Sequence, residues 1–194
     1  ASIRTLDELV EQHSDDPYSL DSLAWAELHF GTLLTEQGQA AEAATHFVRA
    51  VSLRDRLLKM DEASSEHAYN MAWLLTHCPS SDFRDADRAF ELADQARRSS
   101  QENPRYWALK SLAHLRKGDF SGCADSIAIA QKLRPVPESH DLFVLAMALW
   151  QQDNQKDARE TLGQAQALMD AERPGNPDLL TLRAEAEALI KPEE

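Results

Sequence analysis

The residues able to do chemistry are few in this chain, and their spacing is loose. His77 and Cys78 precede Asp82, Asp85 and Asp87, and His nitrogen, Cys sulfur and carboxylate oxygen are all good metal donors. The alternative reading has Cys78 packing inside a helical hairpin while Asp85 caps the next helix, a position where a side-chain oxygen is useful. The structural reading of that cluster is the one adopted, so no metal is expected. The other cysteine, Cys123, falls at a repeat position reserved for small residues, which makes it a core thiol rather than a nucleophile. The seven histidines stand singly. No Gly is followed by Lys-Ser or Lys-Thr as a phosphate loop requires, and neither Gly-x-Gly-x-x-Gly, His-Glu-x-x-His nor an EF-hand loop occurs. His-Arg-Asp and Asp-Phe-Gly, the kinase signatures, are also absent from the sequence. The chain reads as non-catalytic and without a cofactor.

Charge narrows the partners. Thirty-three acidic residues against 20 basic ones give a net charge of −13. Nucleic acid and anionic membranes attract positive surfaces, so both are excluded as expected partners. Cys78 and Cys123 lie 45 residues apart and fit neither a CxxC nor a disulfide framework, which points to a reducing, cytoplasmic compartment. No run approaches the ~20 apolar residues of a membrane span. The first 20 residues hold Arg4, Asp7, Glu8 and Glu11 where a signal peptide would be apolar. The opening residue is Ala1, compatible with processing or with a segment cut from a longer protein.

The elements that must carry any site are helices. Ala (29) and Leu (26) dominate the hydrophobic residues, while Val, Ile and Thr number 5, 4 and 7. Ala and Leu lose little entropy in a helix, whereas β-branched residues lose χ1 freedom there. The pattern Ala-x3-apolar-x2-Ala then recurs, with small or apolar residues at Ala43/Phe47/Ala50, Ala89/Ala93/Ala96, Cys123/Ile127/Ala130 and Ala158/Leu162/Ala165. The first members are spaced 46, 34 and 35 residues, close to the 34 of a tetratricopeptide hairpin. A further small residue stands upstream of each anchor, at Gly31, Ala72, Ser111 and Ala146. Closely crossing antiparallel helices require such residues at the contact point. Gly38 and Gly118 mark hairpin turns, with Asp153-Asn154 a weaker substitute in the fourth repeat. Pro104 opens one helix and Pro135 closes the one before the fourth repeat.

The predicted helices are 5–13, 19–37, 40–59, 65–77, 85–99, 104–117, 120–133, 139–152, 156–171 and 177–190. Residues 1–17 form an N-terminal helix and linker. Residues 18–194 form one repeat domain, with repeats at 18–62, 63–103, 104–137 and 138–175 and a capping helix at 176–191. That last helix is expected to pack Leu179, Leu180, Leu182, Ala186 and Leu189 on one side and to solvate the open end of the array.

Three stretches resemble tetratricopeptide repeat (TPR) segments of a bacterial subtype attached to large signalling proteins, notably Ser/Thr kinases. They are AWLLTHCPSSDFRDADRAFELADQA (72–96), YWALKSLAHLRKGDFSGCADSI (106–127) and LFVLAMALWQQDNQKDARETLGQA (142–165). The resemblance covers about residues 65–190 and implies an all-α, right-handed TPR superhelix (an α-solenoid) of four hairpins, preceded by one helix and followed by a cap. It also implies that the first helix of each hairpin lines a concave face. The face-lining positions include Trp25 and Leu28 in repeat one, Tyr69, Trp73 and His77 in repeat two, and Arg105, Leu112 and Arg116 in repeat three. Repeat four adds His140, Phe143, Met147 and Trp150. The clamp with which some TPR proteins hold a C-terminal carboxylate is matched only by Asn70 and loosely by Arg105, so that mode is not supported.

Aromatic and Arg residues are the types that anchor interfaces. The expected function is therefore a scaffold that binds a peptide or helix of another protein, with Arg105 and Arg116 selecting an acidic partner group. Two alternatives use the same residues. The N-terminal helix, through Ile3, Leu6, Leu9 and Val10, fills the face, or the face joins two copies as a homodimer or docks on a parent protein.

Overall fold

Ala- and Leu-rich segments punctuated by caps yield ten α-helices among the described residues of the computed structural model, which are 3–12, 14–134 and 136–191. They are α1 (Ile3–Gln12), α2 (Pro17–Glu36), α3 (Ala40–Met60), α4 (Ser65–His77), α5 (Ala86–Ser99), α6 (Pro104–Lys117), α7 (Phe120–Leu133), α8 (Ser139–Gln151), α9 (Gln155–Glu172) and α10 (Pro177–Leu189). No strand occurs among the described residues. The expected helix ends depart from these by two residues at most. His13 and Pro135, expected at helix ends, lie outside the described residues.

Capping explains the sharp starts. Asp16 before Pro17, Asn103 before Pro104 and Asn176 before Pro177 each accept a hydrogen bond from a first-turn amide, while the proline lacks a donor that would go unused there. Gly38 and Gly118 adopt φ of 76° and 77° at their turns, and Asp153 takes the same left-handed region at 60°. The widened loop after α4 holds a 3-10 turn, Ser81–Phe83, which sets the Phe83 ring 5.4 Å from that of Phe47 on α3.

The small-residue positions behave as their spacing predicts. Gly31, Ala72, Ser111 and Ala146 are buried, as are both small residues of each anchor pattern. The chain divides into two compact units, Ala1–Asp85 and Ala86–Glu194. In the first, α2 and α3 form a long hairpin, with α1 on α2 and α4 on α3. A fully buried carboxylate, Glu27, binds them: its Oε1 lies 2.7 Å from Arg49 Nη1 and its Oε2 2.5 Å from His46 Nδ1. Arg49 continues to Asp7 on α1. In the second unit, α6–α7 and α8–α9 are hairpins, α5 packs on α6 and α10 packs on α8. The packed side of α10 is Leu179, Leu182 and Ala186, while Leu180, expected on that side, is 41% exposed. A helix turns 100° per residue, so a neighbour of Leu179 cannot share its narrow stripe.

One ion-pair hub ties α5 to α6. Asp94 meets Lys110 at 2.7 Å, Arg98 at 2.8 Å and Arg97 at 3.0 Å. Burial opposes ionisation of Asp94, but the hydrogen bonds from Lys110 and Arg97 outweigh it and hold the carboxyl at about 2, below its ordinary 3.8. A depressed carboxyl stabilises the fold above its unfolded value and loses that contribution as pH falls through the folded one. Asp94→Asn is expected to cost roughly 1–2 kcal/mol at pH 7 by urea titration, and the gap should shrink between pH 4 and 2. A gap of equal size at pH 3 and pH 7 would show that charge is not the cause.

Candidate functional site

In the first unit the face-lining residues come from α2 and α4. Trp25, half-buried, stacks on His29 with ring centroids 5.3 Å apart and has the Arg54 guanidinium 5.3 Å from its own centroid. Arg54 is itself buried and paired with Asp21. Burial lowers its pKa from the ordinary 12.5, and the Asp21 carboxylate works against that. Asn70 Nδ2 donates to the same Asp21 oxygen at 3.1 Å, so its amide is committed to joining α4 to α2. Leu28 is buried core.

Tyr69, Trp73 and His77 are spaced four residues apart, one helical turn each, and their rings form a column along α4. Centroids are 6.0 Å apart for Tyr69–Trp73 and 3.6 Å for Trp73–His77. His77 Nδ1 lies 3.0 Å from Thr76 Oγ1 and 3.1 Å from the Trp73 carbonyl. Trp73 is half-buried, while Tyr69 and His77 keep little surface.

The second unit treats its residues unequally. Leu112 and Phe143 are fully buried and Met147 nearly so, all within the hydrophobic core that α6, α7, α8, α9 and α10 share. Trp150 is half-buried at the edge of that core, with the Arg159 guanidinium 5.3 Å from its ring centroid. His140 Nδ1 lies 3.3 Å from Asp141, which also holds Arg134 at 3.1 Å. Arg105 is exposed in the first turn of α6. Arg116 Nη1 reaches Glu185 Oε2 on α10 at 2.7 Å. Beside that pair lies a cavity of about 270 Å3, walled by Leu115, Phe120, Met147 and Leu189, with Gln151 at its rim.

The sequence reading missed the groups that hold this framework together: Asp21, Arg54, Glu27 and Glu185. A signal for Arg54 exists, since it continues the apolar stripe Ala43, Phe47, Ala50, Leu57 of α3. A lone cation on such a stripe has to find a buried partner. The N-terminal helix is anchored through Asp7 to Arg49, which also binds Glu27. Trp25 is two residues from Glu27 and so about 200° around α2 from it.

Neither cysteine is poised for reaction. Both are free and buried, and burial pushes the thiols up to about 11 for Cys78 and about 12 for Cys123. Among the described residues no three His, Cys, Asp or Glu side chains converge as metal ligands. No helix among them is long and apolar enough to cross a membrane.

No family model matches the chain, and no curated protein matches it. Solved structures do match. MamA from Desulfovibrio magneticus RS-1 is similar with a TM-score of 0.61 at 19% identity, covering 88% of this chain and 85% of that one. A thermophilic TPR protein of Thermus thermophilus gives 0.63 at 14% identity, covering 96% of this chain and 89% of its own. At such identities the likeness shows the fold. The chain has the TPR fold, and its class is the α-solenoid expected from the repeat.

Proposed function

We propose that this TPR-fold chain is a non-catalytic scaffold that binds a peptide or helix of a partner protein along the first helices of its hairpins. The observation that carries the reading is the recurrence of half-buried tryptophans on those helices. Trp25, Trp73 and Trp150 each retain solvent-exposed surface while being held in place by a neighbouring cation or ring. A fold that needed these rings only for its own core would enclose them, as it encloses Leu112 and Phe143. Rigid, partly exposed aromatics give large contact area at small entropic cost. Leu28, Tyr69, Asn70, His77, His140 and Met147 serve this face from beneath, by fixing the helices that present it. In this reading Arg105, exposed in the first turn of α6, meets an acidic group of the partner. The subtype resemblance supports a home in a larger cytoplasmic signalling protein, such as one with a Ser/Thr kinase domain.

The test is binding of a captured partner, measured by calorimetry against the wild type and the variants Trp73→Ala and Trp150→Ala. Each is expected to weaken binding by about 2 kcal/mol or more, roughly thirtyfold, as truncated hot spots do. Unchanged affinity in both, with helicity intact, would sink the assignment. Light scattering at two concentrations separates partner binding from self-association through the same face.

A further inference from the structure

The Arg116–Glu185 pair joins two helices, α6 and α10, that both pack on α8. Both side chains are largely buried, at 15% and 24% exposure. The cavity of about 270 Å3 opens beside it, with Arg116, Met147 and Leu189 in its wall. Glu185 and Leu189 are four residues apart on α10, so one helix face sends a carboxylate to Arg116 and an apolar side chain to the cavity wall. Leu189 lines this space without filling it.

We propose that the pair is a displaceable latch, and that the partner is a helix carrying glutamate and leucine one turn apart. The inference rests on the scaffold reading above and names the chemistry of its partner. The incoming glutamate takes the place of Glu185 on Arg116, and its leucine enters the cavity. One carboxylate replaces another, so the guanidinium keeps an ion-pair partner and is never left buried without a counter-ion. Glu185, with 24% of its side chain exposed, is rehydrated on release. The net gain is the apolar surface that the leucine removes from water.

The probe is a fluorescein-labelled, acetylated and amidated alanine–lysine helix of about 16 residues, long enough to hold helical structure, with Glu and Leu four apart. Three controls carry Gln for Glu, Ala for Leu, or Glu and Leu two apart. Anisotropy titrations use the full chain. Glu185→Gln removes the competing carboxylate and should tighten binding of the probe about fivefold or more, while Arg116→Met should weaken it about tenfold or more. Gln151→Trp, at an exposed rim position, should block the cavity without disturbing the core, which guards against a misfolded Arg116 variant. All three controls should bind the Glu185→Gln protein about tenfold more weakly than the probe. The proposal is overturned if Glu185→Gln leaves affinity unchanged or lower, if a control binds as well as the probe, or if neither protein binds the probe. Failure here with Trp73 and Trp150 still essential leaves the scaffold reading intact. A working latch with both tryptophans dispensable removes that reading instead.

Discussion

Phe47→Ala is expected to destabilise the first unit by roughly 3–5 kcal/mol, read as a lowered urea midpoint with the helical signal of the folded state retained. The ring is 1% exposed and lies where α2 and α3 cross, directly over Gly31, with Phe83 against its other side. Removing it takes a large apolar group out of a close-packed crossing and leaves a void that the hairpin cannot fully collapse around. The companion variant fixes the sign of the argument. Alanine is the better helix former by about 1 kcal/mol, so Gly31→Ala would stabilise an isolated helix. Here a Cβ at residue 31 would lie 2.5 Å from Phe47 Cε1, closer than atoms can approach, so the ring must be pushed off its packed position at the crossing. Overpacking of that kind costs about 1–3 kcal/mol, so a net loss is expected. Gly31→Ala should recover much of it in a Phe47→Leu background, because the two sites share one space. Stabilisation by Gly31→Ala alone would show that the crossing is looser than described.

Arg54→Met should cost roughly 3 kcal/mol, because Asp21 loses its cation while Asn70 still holds it between α2 and α4. A third of the Asp21 side chain is exposed, so water softens the loss. Changing Asp21 to Asn in the same chain should return a large part of it, since a neutral side chain no longer needs the counter-ion. Trp25 would also lose the guanidinium against its ring. The variant therefore links stability to the face: partner binding should weaken even though Arg54 is too buried to touch a partner. Equal stability of Arg54→Met and wild type would mean that the pair is worth no more than an exposed one.

The helices, their turns and the close crossings are legible in the sequence because each depends on local chemistry. Gly38 and Gly118 do adopt the left-handed backbone that their turns demand, and Asp153 takes it in the fourth hairpin. Cys123 is enclosed because its repeat position admits only a small side chain. The position rule for the face is coarser. It treats Trp150 and Phe143 alike, yet Phe143 is fully enclosed in the core around α8, and Trp150 stands at its edge. By position alone Arg116 is a cation awaiting an acidic partner, whereas Glu185, 69 residues further along the chain, already reaches it.

What the sequence determined by itself is therefore the helix inventory, the repeat and the fold class, since periodicity, caps and small-residue spacing act within some forty residues of chain. Which residues on the first helices keep any surface, and which cations are already matched, was decided only by the tertiary structure. Both depend on groups that meet across long stretches of sequence, as Asp21 meets Arg54 and Asn70, and Arg116 meets Glu185. A charge shows no sign of its partner along the chain, because the pairing exists only once the helices have packed.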